Sequence, residues 1–204
     1  MATYSYKTMT WNQFRGACRE GVRNALEAMN TDLGGPLCSY CESEVNDNTG
    51  WHIEHLHRKH DFPERTFDWS NLFLCCQNTE HCGHFKDAGG GAYRPSDLIH
   101  PDKDDPDEYL QFYSSGEVKA CSGLSADQRI RAESTIRVLN LNHSSLKGRR
   151  SAVARRARDL VLMDLDFLDS LAEEERIELL SEEIRSFRSS AHPTVARHFF
   201  TSLD

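Results

Sequence analysis

A carboxylate and an imidazole stand side by side in the middle of the chain. The segment from Trp51 to His60 reads WHIEHLHRKH, which places Glu54 next to His55. Hydrolysis of a phosphodiester needs a base that activates water and a cation that stabilises the leaving oxygen. A neutral histidine supplies the base, and a divalent ion held by a carboxylate supplies the charge. The pair therefore predicts metal-dependent hydrolysis, with a local bend that lets neighbouring strand residues serve one site.

Five of the seven cysteines bracket this segment. Cys38 and Cys41 form a Cys-x-x-Cys pair on its N-terminal side. The cysteines on its C-terminal side are Cys75, Cys76 and Cys82. A structural zinc takes four ligands, commonly from two such pairs separated by a loop. The clustering predicts a zinc site that begins at Cys38 and Cys41 and is completed from the three later cysteines. Cys18 and Cys121 are predicted to be free thiols.

Bulk composition restricts the cellular setting. The chain has 204 residues, of which 27% are charged and 38% hydrophobic, and its net charge is −8. No apolar run approaches the roughly 20 residues that cross a bilayer, and residues 1–10 lack the pattern of a signal peptide. These features predict a cytoplasmic protein with no membrane association. The acidic charge argues against a protein that alone holds DNA over a long footprint, because Lys and Arg drive phosphate binding.

Hydrophobic periodicity predicts an α+β fold that is mainly helical around a central zinc-bound unit. Apolar residues from Trp11 to Met29 recur at helical spacing. The predicted strands are Trp51 to Leu56 and a strand or turn within Phe67 to Cys75, followed by a short helix from His84 to Ala88. The chain is predicted to divide into an N-terminal helical segment (1-35), the zinc-bound unit (36-92), an ordered excursion (93-124) and a helical C-terminal region (125-204).

A basic helical stretch lies in the C-terminal region. It can be a phosphate-binding face, or a solvated face that pairs with the acidic segment that follows it, and the sequence does not separate the two. Its cations are Lys147, Arg149, Arg150, Arg155, Arg156 and Arg158.

Taken together, the motifs of the central region resemble the HNH endonuclease family. The matching residues are Cys38-x-x-Cys41, Ile53-Glu54-His55, Trp69-Ser70-Asn71-Leu72, Cys76, and Cys82 followed four residues later by Lys86. The resemblance implies a ββα-metal unit. In that unit His55 would be the general base, Glu54 would help to hold a catalytic Mg²⁺ or Mn²⁺, and Asn71 would fix the loop between strand and helix.

The resemblance also chooses among the later cysteines. Zinc-bearing members of the family have a cysteine five residues past the Asn, and Cys76 fits that count. The implied structural Zn²⁺ ligands are therefore Cys38, Cys41, Cys76 and Cys82. Cys75 would then be a small buried hydrophobic residue.

Two positions depart from the family pattern. Many members have Pro a few residues after the catalytic histidine, where this chain has His57 and Arg58. Many also carry His or Asn directly after the last cysteine as a second ligand of the catalytic ion, and here that residue is Gly83. His84, or else His81, could substitute. His84 is preferred because it should lie on the helix that follows the last zinc ligand.

Further motifs are similar to one subgroup, the HNH subunit of the Septu anti-phage system, which also occurs beside some retrons. They occur in the expected order, and the resemblance covers roughly residues 11–150. They are Tyr40-Cys41-Glu42, Leu98-Ile99-His100-Pro101, Asp105-Pro106, Gly116-Glu117, Arg131 and Leu139-Asn140-Leu141-Asn142. The resemblance implies an SMC/ABC-like ATPase partner, which would share nucleic-acid binding, and cleavage of DNA or, in retron-linked versions, of tRNA.

Two other functions compete with a nuclease in a defence complex. One is a zinc-stabilised nucleic-acid-binding or partner-binding module without catalysis, which Gly83 favours. The other is a stand-alone restriction-type HNH enzyme, against which the acidic charge and the long helical C-terminal part both count.

Overall fold

The computed structural model describes residues 10–29, 36–163, 167, 170–188 and 191–201. These residues form helices and two small antiparallel sheets, so the predicted α+β class is confirmed. No helix within the described ranges is long and apolar enough to span a membrane.

The central sheet has two strands, β1 (Trp51–His55) and β2 (Leu72–Cys76). They pair antiparallel, with Glu54 opposite Phe73 and His55 opposite Leu72. Helix α1 (Trp11–Met29) packs against the face that carries His55, and helix α2 (Cys82–Ala88) packs against the face that carries Glu54. Both strands lie where the sequence predicts them. Helix α2 begins two residues before the predicted start because the backbone turns at Cys82, whose φ is +60°.

A second sheet follows, with strands β3 (Leu110–Phe112) and β4 (Val118–Ala120). Gly116 in the connecting turn has a φ of +79°, and a Cβ there would lie 1.9 Å from the carbonyl oxygen of Lys147. Helix α3 (Ala126–Val138) then begins with a capping box between Ser125 and Gln128. The capping box is a contact between residues three apart, whereas the close approach at Gly116 depends on the distant residue Lys147.

The remaining helices are α4 (Ser144–Met163), α5 (Glu173–Arg188) and α6 (Pro193–Thr201). Ala157, Phe187 and Ala196 bring the three helices into one apolar cluster. Helix α5 lies in the acidic segment that follows the basic stretch, and residues 164–166 and 168–169 before it lie outside the described ranges. Arg150 is buried and donates to the carbonyl of Leu141, so this cation does not belong to an exposed basic face.

Candidate functional site

Five cysteines and one histidine form a buried donor cluster between the Cys-x-x-Cys loop, β2 and the start of α2. The cluster contains two sets of four donor atoms, and within each set every atom lies within 4.8 Å of the other three. One set is Cys38, Cys75, Cys76 and Cys82, and the other is Cys41, Cys76, His81 and Cys82. Cys76 and Cys82 belong to both sets.

The cluster fits a tetrahedral cation. The sulfur atoms of Cys38 and Cys75 are 3.6 Å apart, and those of Cys41 and Cys76 are 4.0 Å apart. Sulfurs bound to one zinc at 2.3 Å stand about 3.8 Å apart. Burial raises the pKa of the Cys82 thiol well above its usual value, so ionising this thiol needs a compensating cation. The donors are sulfur and imidazole, which suit Zn²⁺ better than Mg²⁺ or Ca²⁺.

The donor cluster contains the predicted zinc ligands and two further candidate donors, Cys75 and His81. All four predicted cysteines lie in the cluster, but Cys38 and Cys41 fall in different sets. Cys75, predicted to be a small buried hydrophobic residue, is also a candidate donor, since its sulfur faces that of Cys38. His81, the other residue predicted as a possible substitute for the ligand missing at Gly83, lies in the donor cluster, with its Nδ1 3.1 Å from the sulfur of Cys82. The sequence signal that could have identified His81 as a candidate donor is its position directly before Cys82 at the start of α2.

Replacement of single cysteines by serine is expected to rank the ligands. Cys76→Ser should lower the zinc content of the purified chain more than Cys75→Ser, because Cys76 belongs to both donor sets and Cys75 to one. Zinc per chain, measured by mass spectrometry on matched preparations, checks this ranking. Equal losses would contradict this ranking, and a larger loss in Cys75→Ser would favour Cys75 over Cys76 as a ligand.

A cavity of about 370 Å³ lies beside the cluster, along β1. Residues 52–55 all line it, so side chains from both faces of the strand reach one space. Glu54 and His55 are therefore together in the cavity, as predicted. His84 of α2 also lines it, together with Trp11 and Arg19 of α1.

His55 is held as a neutral imidazole with a defined orientation. Its Nε2 lies 2.9 Å from the carbonyl oxygen of Thr66, which can only accept, so Nε2 carries the proton and Nδ1 does not. Burial lowers the pKa of His55 to about 4. The ring of Trp11 meets the imidazole edge-on, with 4.5 Å between ring centroids. At neutral pH this histidine can accept a proton at Nδ1.

Asn71 organises the loop that supplies the Thr66 carbonyl. Its side-chain oxygen accepts from the backbone N–H of His57 at 2.7 Å, and its amide donates to the carbonyls of His57 and Arg65 at 3.1 Å each. The Asn71 side chain is fully buried. It therefore ties both ends of the loop after β1 and positions the residue that orients His55.

Glu54 is ionised and buried. One carboxylate oxygen lies 2.9 Å from Nζ of Lys86, and the other lies 3.1 Å from Nε2 of His52. Burial alone raises the pKa of this carboxyl, but the hydrogen bond from His52 and the charge of Lys86 outweigh it and lower the pKa to about 2. Lys86, which the sequence marks only by its spacing from Cys82, is thus the principal counter-charge of Glu54.

Gly83 and two histidines surround the His52 side of the carboxylate. A Cβ on Gly83 would lie 2.3 Å from Oε2 of Glu54 and 2.8 Å from Nε2 of His52. The rings of His52 and His84 stack, with centroids 4.1 Å apart. His84 therefore reaches the cavity as predicted. His52 was not predicted as a site residue, although its position two before Glu54 on a strand places both on one face.

Two cations line the same cavity. Arg19 of α1 stacks its guanidinium on Trp51 at 4.0 Å, and the ammonium group of Lys59 lies 4.5 Å from the ring centre of Trp11. Both groups are placed on aromatic surfaces next to His55 and Glu54. The cavity thus combines a neutral base, a carboxylate and positive charge.

Comparison with known proteins gives one informative relationship. No protein-family model matches the chain. Over 178 residues the chain is 28% identical to a protein named Septu protein PtuB from Bacillus mycoides (strain KBAB4), a match that covers 75% of this chain and 56% of that protein. The chain thus matches little more than half the length of this relative. The similarity supports a Septu-type relationship for this chain.

Proposed function

We propose that this chain is an HNH-type endonuclease that hydrolyses phosphodiester bonds of nucleic acid. The observation that carries the proposal is the His55 imidazole, fixed in one tautomer by Thr66 and placed beside the Glu54 carboxylate in an open cavity. Two strands and a helix, with donors for a structural metal at their end, match what the family resemblance implies for a ββα-metal unit.

In the proposed reaction His55 accepts a proton at Nδ1 from the attacking water. The Thr66 carbonyl stabilises the imidazolium that forms, because it accepts from Nε2. Asn71 keeps this carbonyl in place through the loop. Glu54 would hold a Mg²⁺ or Mn²⁺ ion, which supplies positive charge to the scissile phosphate and leaving oxygen. The cavity that Glu54 lines together with His52 and His84 offers room for such an ion.

The substrate is proposed to be a polyanion that enters along α1. Arg19 and Lys59 lie at the cavity and can contact phosphates on either side of the scissile bond. These groups suit DNA and RNA alike, so DNA is proposed as the substrate with tRNA as the alternative.

The relationship to a Septu protein supports a role in anti-phage defence, with an SMC/ABC-like ATPase as the proposed partner. A net charge of −8 is unusual for a nuclease that binds nucleic acid alone. An ATPase that contributes part of the nucleic-acid contact would account for it. The Cys/His cluster is proposed to hold the structural Zn²⁺ that folds the unit.

Replacing His55 by alanine is expected to lower the cleavage rate by at least about 100-fold, because proton transfer by a placed base contributes that much or more. Plasmid DNA and tRNA should be incubated with the chain, alone and with its ATPase partner, in Mg²⁺ or Mn²⁺. His60→Ala is the matched control, since His60 lies in the same segment with a fully exposed side chain. Cleavage that His55→Ala leaves unchanged would refute the mechanism.

The second candidate is a zinc-stabilised module that binds nucleic acid or a partner without catalysis. The specific observation in its favour is that His52 and Lys86 already engage the two oxygens of Glu54. In the same experiment, a chain that binds DNA or tRNA without cutting either, in both metals and with the ATPase present, would establish this alternative.

A further inference from the structure

We propose that His52 is a ligand of the divalent ion at Glu54 and replaces the ligand that Gly83 cannot provide. This inference rests on the proposed nuclease function, because the ion is the one that the reaction requires. It assigns a metal-binding role to a residue outside the Glu-His pair. It also predicts which ion the site prefers.

The position of Gly83 is the first observation. A side chain there would occupy the space of the Glu54 and His52 donor atoms, since even a Cβ would overlap both. Gly83 adopts an ordinary helical start without a positive φ, so its backbone conformation does not demand glycine. What demands glycine is the approach of Glu54 and His52 to the first turn of α2. The absence of a side chain at Gly83 therefore leaves the room that the His52 ring occupies beside Glu54.

The second observation is the spacing of the donor atoms. Nε2 of His52 and Oε2 of Glu54 are 3.1 Å apart. Adjacent ligands of one octahedral ion, each at about 2.1 Å, stand about 3 Å apart. The two atoms are thus already at the separation that a shared ion requires. The same spacing allows a direct hydrogen bond, so the experiment below must separate a ligand from a simple hydrogen-bond partner of Glu54.

His84 lies beside this pair without taking the same position. Its ring stacks on that of His52, and its Nε2 is buried with no hydrogen-bond partner among the described residues. The nitrogen that adjoins Glu54 belongs to His52. In the described part of the chain, His84 completes no compact three-donor group with Glu54 and His52. We therefore assign the ligand role to His52 and a packing role to His84.

An imidazole ligand changes the preferred ion. Mg²⁺ favours oxygen donors and keeps several waters, whereas imidazole suits later transition ions better. A site of one carboxylate and one imidazole should therefore bind Mn²⁺ more tightly than Mg²⁺. Lys86 binds the other oxygen of Glu54, which leaves a single carboxylate oxygen for the ion. The imidazole nitrogen is then one of two protein donors and has a large influence on which ion is preferred.

The test measures Mn²⁺ binding to the full-length, zinc-loaded chain without substrate. Electron paramagnetic resonance counts free Mn²⁺ during a titration, and pulsed measurements detect the ¹⁴N coupling of a bound imidazole. The variants are His52→Gln and His84→Gln, with His60→Gln as an exposed control. Glutamine at position 52 can still donate a hydrogen bond to Glu54, so folding and zinc content should be retained while the imidazole is lost.

We expect His52→Gln to weaken Mn²⁺ binding at least about tenfold and to remove the ¹⁴N coupling. His84→Gln and His60→Gln should retain both. Gly83→Ala is a second, independent variant that should also weaken Mn²⁺ binding, because its Cβ displaces the Glu54 oxygen and the His52 nitrogen.

Bound Mn²⁺ without ¹⁴N coupling in the wild-type chain would overturn the inference, as would coupling that survives His52→Gln. If such a chain still cleaves nucleic acid in a His55-dependent way, the proposed function stands and only the role of His52 is wrong. Nitrogen-coupled Mn²⁺ that is lost in His52→Gln would support the inference even if no cleavage is found, and that result would count against the proposed function alone.

Discussion

Removing the metal from the Cys/His cluster is expected to unfold the central region of the chain, not merely to weaken it. All five cluster cysteines belong to the main hydrophobic core, where they pack with residues of α1, β1, β2 and α3. Zinc binding to such sites contributes on the order of 10 kcal/mol, and whole domains are stable by about 5–15 kcal/mol. Loss of the ion therefore removes a free energy comparable to the entire stability.

Cys82→Ser is the variant that tests this expectation. Cys82 is fully buried, belongs to both donor sets and donates its backbone N–H to the carbonyl of Leu139 in the segment after α3. Cys121→Ser is the matched control, because Cys121 is a half-buried thiol outside the cluster. Zinc content, circular dichroism and thermal unfolding should be compared. A zinc-free Cys82→Ser chain that still melts cooperatively near the wild-type temperature would show that the metal is dispensable for folding.

The sequence predicted those parts of the fold that depend on neighbouring residues. Helix α3 begins where the predicted helical C-terminal region begins, and its start rests on contacts between Ser125 and Gln128, three residues apart. The strands β1 and β2 follow from apolar runs bounded by turn residues. The Cys-x-x-Cys pair indicated a metal site because its two thiols are close by local geometry alone. Each of these predictions needs only a few consecutive residues.

Pairings between distant segments could not be predicted in this way. The sulfur of Cys75 meets that of Cys38 because β2 runs beside the Cys-x-x-Cys loop, where Ser39 donates to the carbonyl of Leu74. Likewise, the Glu42 carboxylate accepts from Thr194 at the start of α6, 152 residues later. Sequence spacing carries no information about such contacts, since they depend on how whole elements pack.

The interpretation of Gly83 changed most between sequence and structure. In the family pattern it is a missing ligand, which favours a binding module without catalysis. In the structure it is the position where a side chain would collide with Glu54 and His52. The alternation of β1 already placed His52 and Glu54 on one face. Only the close approach of α2 to that face, however, explains why position 83 has no side chain.

Lys86→Met is expected to destabilise the chain by about 3–5 kcal/mol, the cost of leaving one partner of a buried ion pair alone. Lys86 is fully buried and Glu54 is 3% exposed, so water cannot replace the lost ammonium. Burial lowers the pKa of Lys86 and the charge of Glu54 raises it, with a net shift above the usual value, which means that the pair is ionised in the folded chain. Methionine keeps an unbranched side chain of similar length, one atom shorter, and removes the ammonium group with its charge and its hydrogen bonds.

A double variant distinguishes an unpaired charge from damaged packing. In Lys86→Met/Glu54→Gln the carboxylate that faced Lys86 is also neutralised, so the chain should recover much of the stability that Lys86→Met loses, as replacement of a whole ion pair is often close to neutral. Lys119→Met is the control, because the exposed pair of Lys119 with Glu117 contributes less than about 1 kcal/mol. Denaturant unfolding of the zinc-loaded proteins gives the free energy of unfolding of the wild type, the two Lys86 variants and the Lys119→Met control. A double variant less stable than Lys86→Met would mean that shape and not charge explains the buried lysine, and the view that Lys86 holds Glu54 ionised for the divalent ion would fail with it.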